Sequence, residues 1–568
     1  MPMKTIKEEV IDLLTKTVKL SREDLAELLE TPSDSKLGDL ALPCFHLSKT
    51  LKKDPKTIAS EIREKIKLPK GLIREVKATG PYLNFFFEEA KLAESTLKRI
   101  WKEREGYGYK RRLNKTVVVE FPAPNTNKPL HLGHLRNMSL GESVSRLLET
   151  QGYRVVRVNL NNDRGVHICK SMLAYKKWGD NKEPDKKSDH FVGDFYVMFS
   201  QKAKEHPELE REIQEMLIAW EAKDPETIGL WRKMNCWALD GFNETYKRFG
   251  VSFDKVYYES RTYEKGKEMI LEGLKKGIFY KDESGAILAD LGELGKKILL
   301  RADGTSVYIT QDIYLAKLKY DEYHYEKSIY VVASEQNYHF RVLFKILKML
   351  GFKFADKCYH LSYGMVYLPS GRMKSREGSV VDADNLMDEL DGMAEKEVRK
   401  RHKLKETEVK NLSEKIGLAA LKYFLLRCSA NKDFVFKPEE SISFEGDTGP
   451  YLQYSLVRAK KIQQKAGTKP TVSIDFTLLN KPEEIALIKR LGEFPGILEK
   501  TAGSYSPHIL TEYAFKLATL FSQFYEGCQV IAAESEELKK ARLLLVNSYY
   551  HVQKSCLNLL GIEEVGIM

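Results

Sequence analysis

Hydrophobic and polar positions change rhythm within a short stretch near residue 120. Val117-Val118-Val119-Glu120-Phe121 is a nearly continuous apolar run of strand length, the form taken by a parallel strand covered on both faces. Pro122 and Pro124 disfavour helix at the residues before them and predict an extended turn. From Leu132 the spacing becomes helical, with Leu135, Met138, Val144, Leu147 and Leu148 recurring until Gly152, a C-terminal stop. Residues 155–160 form a second apolar strand, followed by the turn Asn162-Asp163-Arg164-Gly165. Strand, helix and strand in this order predict a parallel α/β layer.

The rest of the chain is organised around that layer. Residues 1–108 read as a small α+β domain: a charged helix leads to Gly38-Asp39-Leu40-Ala41-Leu42-Pro43, a second helix follows, and Tyr82-Leu83-Asn84-Phe85-Phe86-Phe87 has strand composition, with Phe85 and Phe87 suited to a core. Lys110-Arg111-Arg112 marks a basic linker. The α/β core is expected over 109–382, with a polar, helical insertion at about 178–250 lying between its two halves. Beyond 382 the pattern is almost wholly helical, read as a junction over 383–440 and an all-α bundle over 441–568. The fold class is therefore multidomain α/β, and no internal repeat or low-complexity tract is present.

Composition narrows the setting. At 568 residues the chain exceeds one ordinary domain. Its net charge of +11 makes binding to a polyanion electrostatically easy and points to nucleic acid. The seven cysteines include no C-x-x-C pair, which argues against a zinc or dithiol motif and for reduced thiols. The first residues carry acids and no apolar signal core, and no stretch of about 20 apolar residues could span a bilayer, so a cytoplasmic protein is expected.

The candidate chemistry sits where the first strand hands over to the helix. In His131-Leu132-Gly133-His134 two histidines flank a glycine at a helix start, whose unpaired N–H groups and positive dipole end favour anions. In open α/β folds such a helix start faces the ligand crevice. Gly133 would let a nucleotide approach the backbone, and His131 and His134 could donate to phosphate oxygens. Taken alone, the same pattern also describes a helix with two surface histidines.

The surroundings, Pro122-Ala123-Pro124-Asn125-Thr126-Asn127-Lys128-Pro129-Leu130-His131-Leu132-Gly133-His134-Leu135-Arg136, resemble the HIGH signature of class I aminoacyl-tRNA synthetases in its arginyl-tRNA synthetase version. Gly371-Arg372-Met373-Lys374-Ser375-Arg376-Glu377-Gly378 resembles the family's KMSKS loop in degenerate form: Arg372 stands for the first lysine, Lys374 for a serine and Ser375 for the second, catalytic lysine. The resemblance implies that Lys128, three residues before His131, supplies the missing charge with Lys374 and Arg376, while Met373 and Ser375 join His131, Gly133, His134 and His339 around ATP. It further implies an arginine pocket in which Tyr308 and Asp312, one helical turn apart, hold the guanidinium with Glu120, and Asn125 and Gln336 hold the α-amino group. Residue by residue, Glu120 is equally an exposed strand end, Asp312 a helix-start carboxylate and Tyr308 a core aromatic. Asp163 is read either as a partner for a cation, as a support for a neighbouring loop, or as a helix cap.

Other segments carry the same likeness. His190-Phe191-Val192-Gly193-Asp194-Phe195-Tyr196 in the insertion resembles the arginyl family, as does the segment Phe444-Glu445-Gly446-Asp447-Thr448-Gly449-Pro450-Tyr451 before the last bundle. Arg458, Lys460, Lys461, Lys465 and Lys469 form a basic run that suits phosphates or a solvated helix face, and Tyr549, Tyr550, Ile567 and Met568 are candidate base contacts. The resemblance implies a class I Rossmann-like catalytic core between an N-terminal tRNA-contacting domain and an anticodon-binding bundle. It implies an arginine–tRNA ligase using ATP with Mg²⁺, arginine and tRNA(Arg), without a prosthetic group or a protein-held metal, and acting as a monomer away from membranes. The competing expectations are a class I synthetase for another amino acid and an inactive tRNA-binding paralogue, for which the degenerate 372–376 loop is the only support.

Overall fold

The computed structural model describes residues 6–30, 32, 37–68, 71–367, 369 and 381–568. The chain forms two compact units, one of residues 1–108, 455–496 and 514–555, the other of residues 109–454, 497–513 and 556–568.

The larger unit is built on a five-stranded parallel sheet. Its strands are β1 (Thr116–Glu120), β2 (Arg154–Asn161), β3 (Lys255–Tyr258), β4 (Lys327–Ala333) and β5 (Cys358–Tyr363). They lie in the order β5-β4-β1-β2-β3, with β1 paired to β4 through Lys327 to Tyr330 and to β2 through Arg154 to Val158. The order reverses between β1 and β4, and in doubly wound sheets the crevice for ligands opens at the carboxyl ends of the strands flanking such a switch. Val118, Val156, Val158 and Tyr330 from the sheet share one core with Ile313, Ala316, Val342 and Ile346 from the covering helices.

Helix α1 (Leu132–Thr150) links β1 to β2. It ends where the apolar spacing predicted: Gly152 adopts φ +89°, and a Cβ there would stand 2.1 Å from the Arg111 carbonyl oxygen, so glycine is required on two counts. The polar insertion is a group of helices, α2 (Val166–Trp178), α3 (Ser188–Lys202), α4 (Leu209–Glu221) and α5 (Pro225–Phe249), with a core of its own around Met172, Phe191, Phe199, Ile213 and Met234. It occupies the crossover from β2 to β3, inside the first half of the nucleotide fold, and not between the two halves as expected. Between β3 and β4 run a helix, a small antiparallel sheet and α6 (Tyr308–Tyr323); α7 (Asn337–Met349) links β4 to β5. Helices α8 (Ala383–Arg401) and α9 (Glu406–Arg427) follow.

The smaller unit carries an antiparallel sheet in the order Leu40–Pro43, Tyr82–Phe87, Ile73–Thr79, whose middle strand buries Phe85 and Phe87. Lys489 reaches Asp39 at 2.5 Å, Tyr107 stacks on Phe494, and Arg542 makes a buried pair with Glu484 at 2.7 Å. The N-terminal segment and much of the last helices therefore share one unit, a grouping that linear pattern could not reveal. Tyr549, a candidate base contact by sequence, is fully buried, stacked on Phe521 at 3.8 Å and hydrogen-bonded to Ser455, so its ring is committed to the core. Among the described residues no helix is long and apolar enough to cross a membrane.

Candidate active site

The helix start at the switch point is closed by its own histidines. His131 is the N-cap of α1 in extended conformation; its Nδ1 accepts from the Gly133 N–H at 3.1 Å, and the His134 Nδ1 accepts from the His131 N–H at 3.1 Å. The rings lie 3.9 Å apart between centroids. Because each Nδ1 is an acceptor, each neutral ring carries its proton on Nε2, where it is a donor. Burial, aided by the Lys128 charge, pushes His131 down to about 3, and burial, with His131 and Lys128 beside it, holds His134 well below the usual histidine range. The space beside Gly133 is taken by the His131 ring, since a Cβ there would lie 2.9 Å from Cε1.

A lowered histidine pKa leaves the folded protein with neutral rings down to acid pH, whereas the unfolded chain binds protons from about 6.5 downward. Between pH 6 and 8 at saturating arginine, the activation rate is therefore expected to show no acid limb from either histidine. Pyrophosphate exchange across that range checks this, and an acid limb removed by His131→Asn or His134→Asn would refute it.

Lys128 is half-buried, and no carboxylate pairs with it among the described residues. Desolvation lowers its pKa. An ammonium partly withdrawn from water without a counter-ion is suited to an anionic ligand. The loop residues Arg372, Met373, Lys374, Ser375 and Arg376 lie outside the described residues.

The other predicted residues converge on the same edge of the sheet. Helix α6 begins at Tyr308, as the pairing with Asp312 required, and Tyr308 is 64% exposed. Asp312 accepts from His339 Nε2 at 2.7 Å. His339, expected near adenine, is thus placed against the carboxylate expected to hold the guanidinium. Gln336 is exposed at the turn after β4, and Asn125, beyond β1, bridges to Asn162 beyond β2. Glu120 is not an open strand end: its Oε2 accepts from Lys319 Nζ at 2.7 Å, and that ammonium is fully buried and 3.8 Å from the centre of the Tyr330 ring.

One acid escaped the sequence reading. Glu259 follows β3, is 3% exposed, and its Oε2 is buried without a hydrogen-bond partner. Burial raises it to about 7, opposed by Arg164 and a Gln311 hydrogen bond and reinforced by Asp163 and Asp312. Arg164 lies 3.8 Å from it and is also held by Glu221 and the Tyr263 ring. Asp163 supports the neighbouring loop, accepting from the Ser260 N–H and Oγ–H at 2.8 and 2.7 Å. The available signal was positional: an acid directly after an apolar strand, as with Glu120. A cavity of about 550 Å³ lies elsewhere, between α2 and α5, but Lys176, Lys177 and Lys233 on its wall are each paired with a glutamate.

Three family models match the chain: "tRNA synthetases class I (R), catalytic domain" over 96–437, "DALR anticodon binding domain" over 452–568, and "Arginyl tRNA synthetase N terminal domain" over 4–87. The arginine–tRNA ligase of Treponema denticola is 47% identical, the alignment covering 95% of this chain and 94% of that protein. That of Borrelia turicatae is 41% identical, with 99% of each covered. The solved arginyl-tRNA synthetase of Thermus thermophilus superposes with a TM-score of 0.86 at 26% identity, covering all of both chains. Matched by these family models and, over nearly its whole length, by these relatives, the chain belongs to the arginyl-tRNA synthetases, class I ligases that join arginine to tRNA.

Proposed function

We propose that this arginine–tRNA ligase performs both half-reactions at the carboxyl edge of the β1–β4 switch point, with the following division of roles. A carboxylate oxygen of arginine attacks the α-phosphorus of ATP, the bond from that phosphorus to the bridging oxygen breaks, and pyrophosphate departs. A hydroxyl of the terminal tRNA ribose then attacks the arginyl carbonyl and AMP leaves. The Nε2–H groups of His131 and His134 donate to phosphate oxygens, and Lys128 opposes the charge of departing pyrophosphate together with Lys374 and Arg376, with Met373 and Ser375 also at the ATP. Asp312, Tyr308 and Glu259 receive the guanidinium, Asn125 and Gln336 the α-amino group, and Lys319 orients Glu120 beside them. His339 holds Asp312 until substrate arrives.

What supports this reading most directly is one juxtaposition: an ammonium without a counter-ion among the described residues, beside two neutral imidazole donors at a helix start. Magnesium accompanies ATP as part of the substrate. We also propose a monomer working in the cytoplasm, with its seven cysteines as thiols, and tRNA contacts by the 1–108 domain and the 441–568 bundle.

Glu259 provides the test. Its carboxylate form prevails above about pH 7 and is lost as pH falls through that value. In arginine-dependent pyrophosphate exchange with tRNA present, the arginine KM should rise severalfold from pH 8 to pH 6. Glu259→Gln should raise it about tenfold at pH 8, the loss of one charge-assisted hydrogen bond, and abolish the pH dependence. Lysine and glutamate serve as amino-acid controls. The same pH dependence in wild type and variant would exclude Glu259 from the pocket.

A further inference from the structure

The insertion motif His190-Phe191-Val192-Gly193 lies on α3, away from the residues assigned above, yet two of its positions converge on the segment that carries Lys128 and His131. The first contact is steric. A Cβ at Gly193 would stand 2.6 Å from Pro129 Cδ and 3.6 Å from Lys128 Cα, so α3 packs on this segment with no room for a side chain.

The second contact is electrostatic. His190 Nε2 lies 3.2 Å from Asp382 Oδ2 and 3.5 Å from Asp384 Oδ2. Asp382 caps α8 through its other oxygen, Oδ1, which accepts from the Asp384 and Asn385 N–H groups. The backbone of Asp382 bridges to that of His131, with Leu132 N–H donating to Val381 O and Ala383 N–H to Leu130 O, both at 3.0 Å. Asp189, His190 and Asp384 are close enough together to suggest a metal site. Lys187 Nζ, however, sits 2.7 Å from Asp189 Oδ1, 3.0 Å from Asp384 Oδ2 and 2.9 Å from Thr245 Oγ1, and answers their charge. The cluster therefore ties three separated parts of the chain to one strand-like crossing at residues 130–132.

We infer that His190 and Gly193 are positioning residues for amino-acid activation: α3 of the insertion fixes the backbone of residues 128–132 from one side, through Pro129 and through the Asp382 crossing, and so sets where Lys128 and His131 meet the ATP phosphates. The inference rests on the phosphate roles proposed for those two residues. The motif thereby acquires a physical reason, a glycine for close approach and a histidine three residues earlier, on the same face of α3, to meet the Asp382 and Asp384 carboxylates.

The test uses the full chain with arginine, ATP and tRNA(Arg), comparing His190→Ala, His190→Gln and Gly193→Ala with Asp194→Asn, whose side chain on the same helix is exposed. His190→Ala and Gly193→Ala are expected to lower kcat for activation at least tenfold and raise the ATP KM, with the arginine KM within twofold of wild type. His190→Gln, which keeps a donor near Asp382, should recover part of the loss, and Asp194→Asn should behave as wild type. Active-site titration separates this from loss of folded enzyme: a fall confined to the active fraction, with both KM values unchanged, overturns the inference. So does an arginine KM that rises as much as that for ATP. Lys128→Ala, run in parallel, tests the underlying reading independently, because wild-type activation by that variant would remove the phosphate role whatever His190 does.

Discussion

Lys128→Ala is expected to lower the rate of arginine activation by about 10²- to 10³-fold, the usual effect of removing one preorganised group that stabilises transition-state charge. The arginine KM should remain within about threefold, since the lysine acts on phosphate and not on the amino acid. The physical ground is the state of the side chain before substrate arrives. It is half-buried, its charged form is disfavoured by desolvation, and no carboxylate compensates it among the described residues. Phosphate oxygens would relieve that cost, most strongly as pyrophosphate leaves and its charge grows. Lys128→Arg keeps the charge but spreads it over a planar fork, and should recover only part of the rate. Pyrophosphate exchange and single-turnover adenylate formation measure both. A loss seen only in arginine affinity would transfer Lys128 to the amino-acid pocket.

Asp312→Ala is expected to act on the other substrate. Truncating one partner of a desolvated charge pair typically costs about 2–5 kcal/mol, so the arginine KM should rise on the order of 100-fold, with the ATP KM little changed. The interpretation depends on His339, which now occupies the carboxylate at 2.7 Å. His339→Asn separates the alternatives: if His339 only holds Asp312 ready, the variant should shift the arginine KM by a few-fold, far less than Asp312→Ala. If His339→Asn instead raises the ATP KM while arginine saturation is unaffected, the histidine belongs to the nucleotide. Unchanged arginine saturation in Asp312→Ala would place the guanidinium elsewhere, with the buried Glu259 as one alternative acid.

The two sites differ in how far local pattern revealed them. The helix start at His131, its end at Gly152, and the common face of Tyr308 and Asp312 all follow from spacing within a few residues, where chain geometry alone sets who is adjacent. The partners of these groups do not. That Glu120 is no exposed strand end depends on Lys319, which stands 199 residues away along the chain. Glu259 passed unnoticed because its significance comes from Asp312 and Arg164, which the sheet order brings to it. Tyr549 carried the composition of a stacking platform, and only packing against Phe521 made it core.

The sequence by itself determined the α/β rhythm of the catalytic core, the helical character of the C-terminal part, and a histidine pair and lysine at one helix start. It also carried, as resemblance, the family that the comparisons then established. These are properties of short segments, where apolar period and turn residues act locally. Tertiary structure decided the strand order that makes a switch point, the placement of the insertion in the β2–β3 crossover, and the grouping of the N-terminal sheet with distant helices. It also decided the charge states: His131 and His134 are neutral because burial and Lys128 disfavour their cations, and Glu259 titrates at about 7 because it is shut from water beside Asp163 and Asp312. Desolvation and long-range charge depend on what the folded chain places around a group, and no window of sequence contains that information.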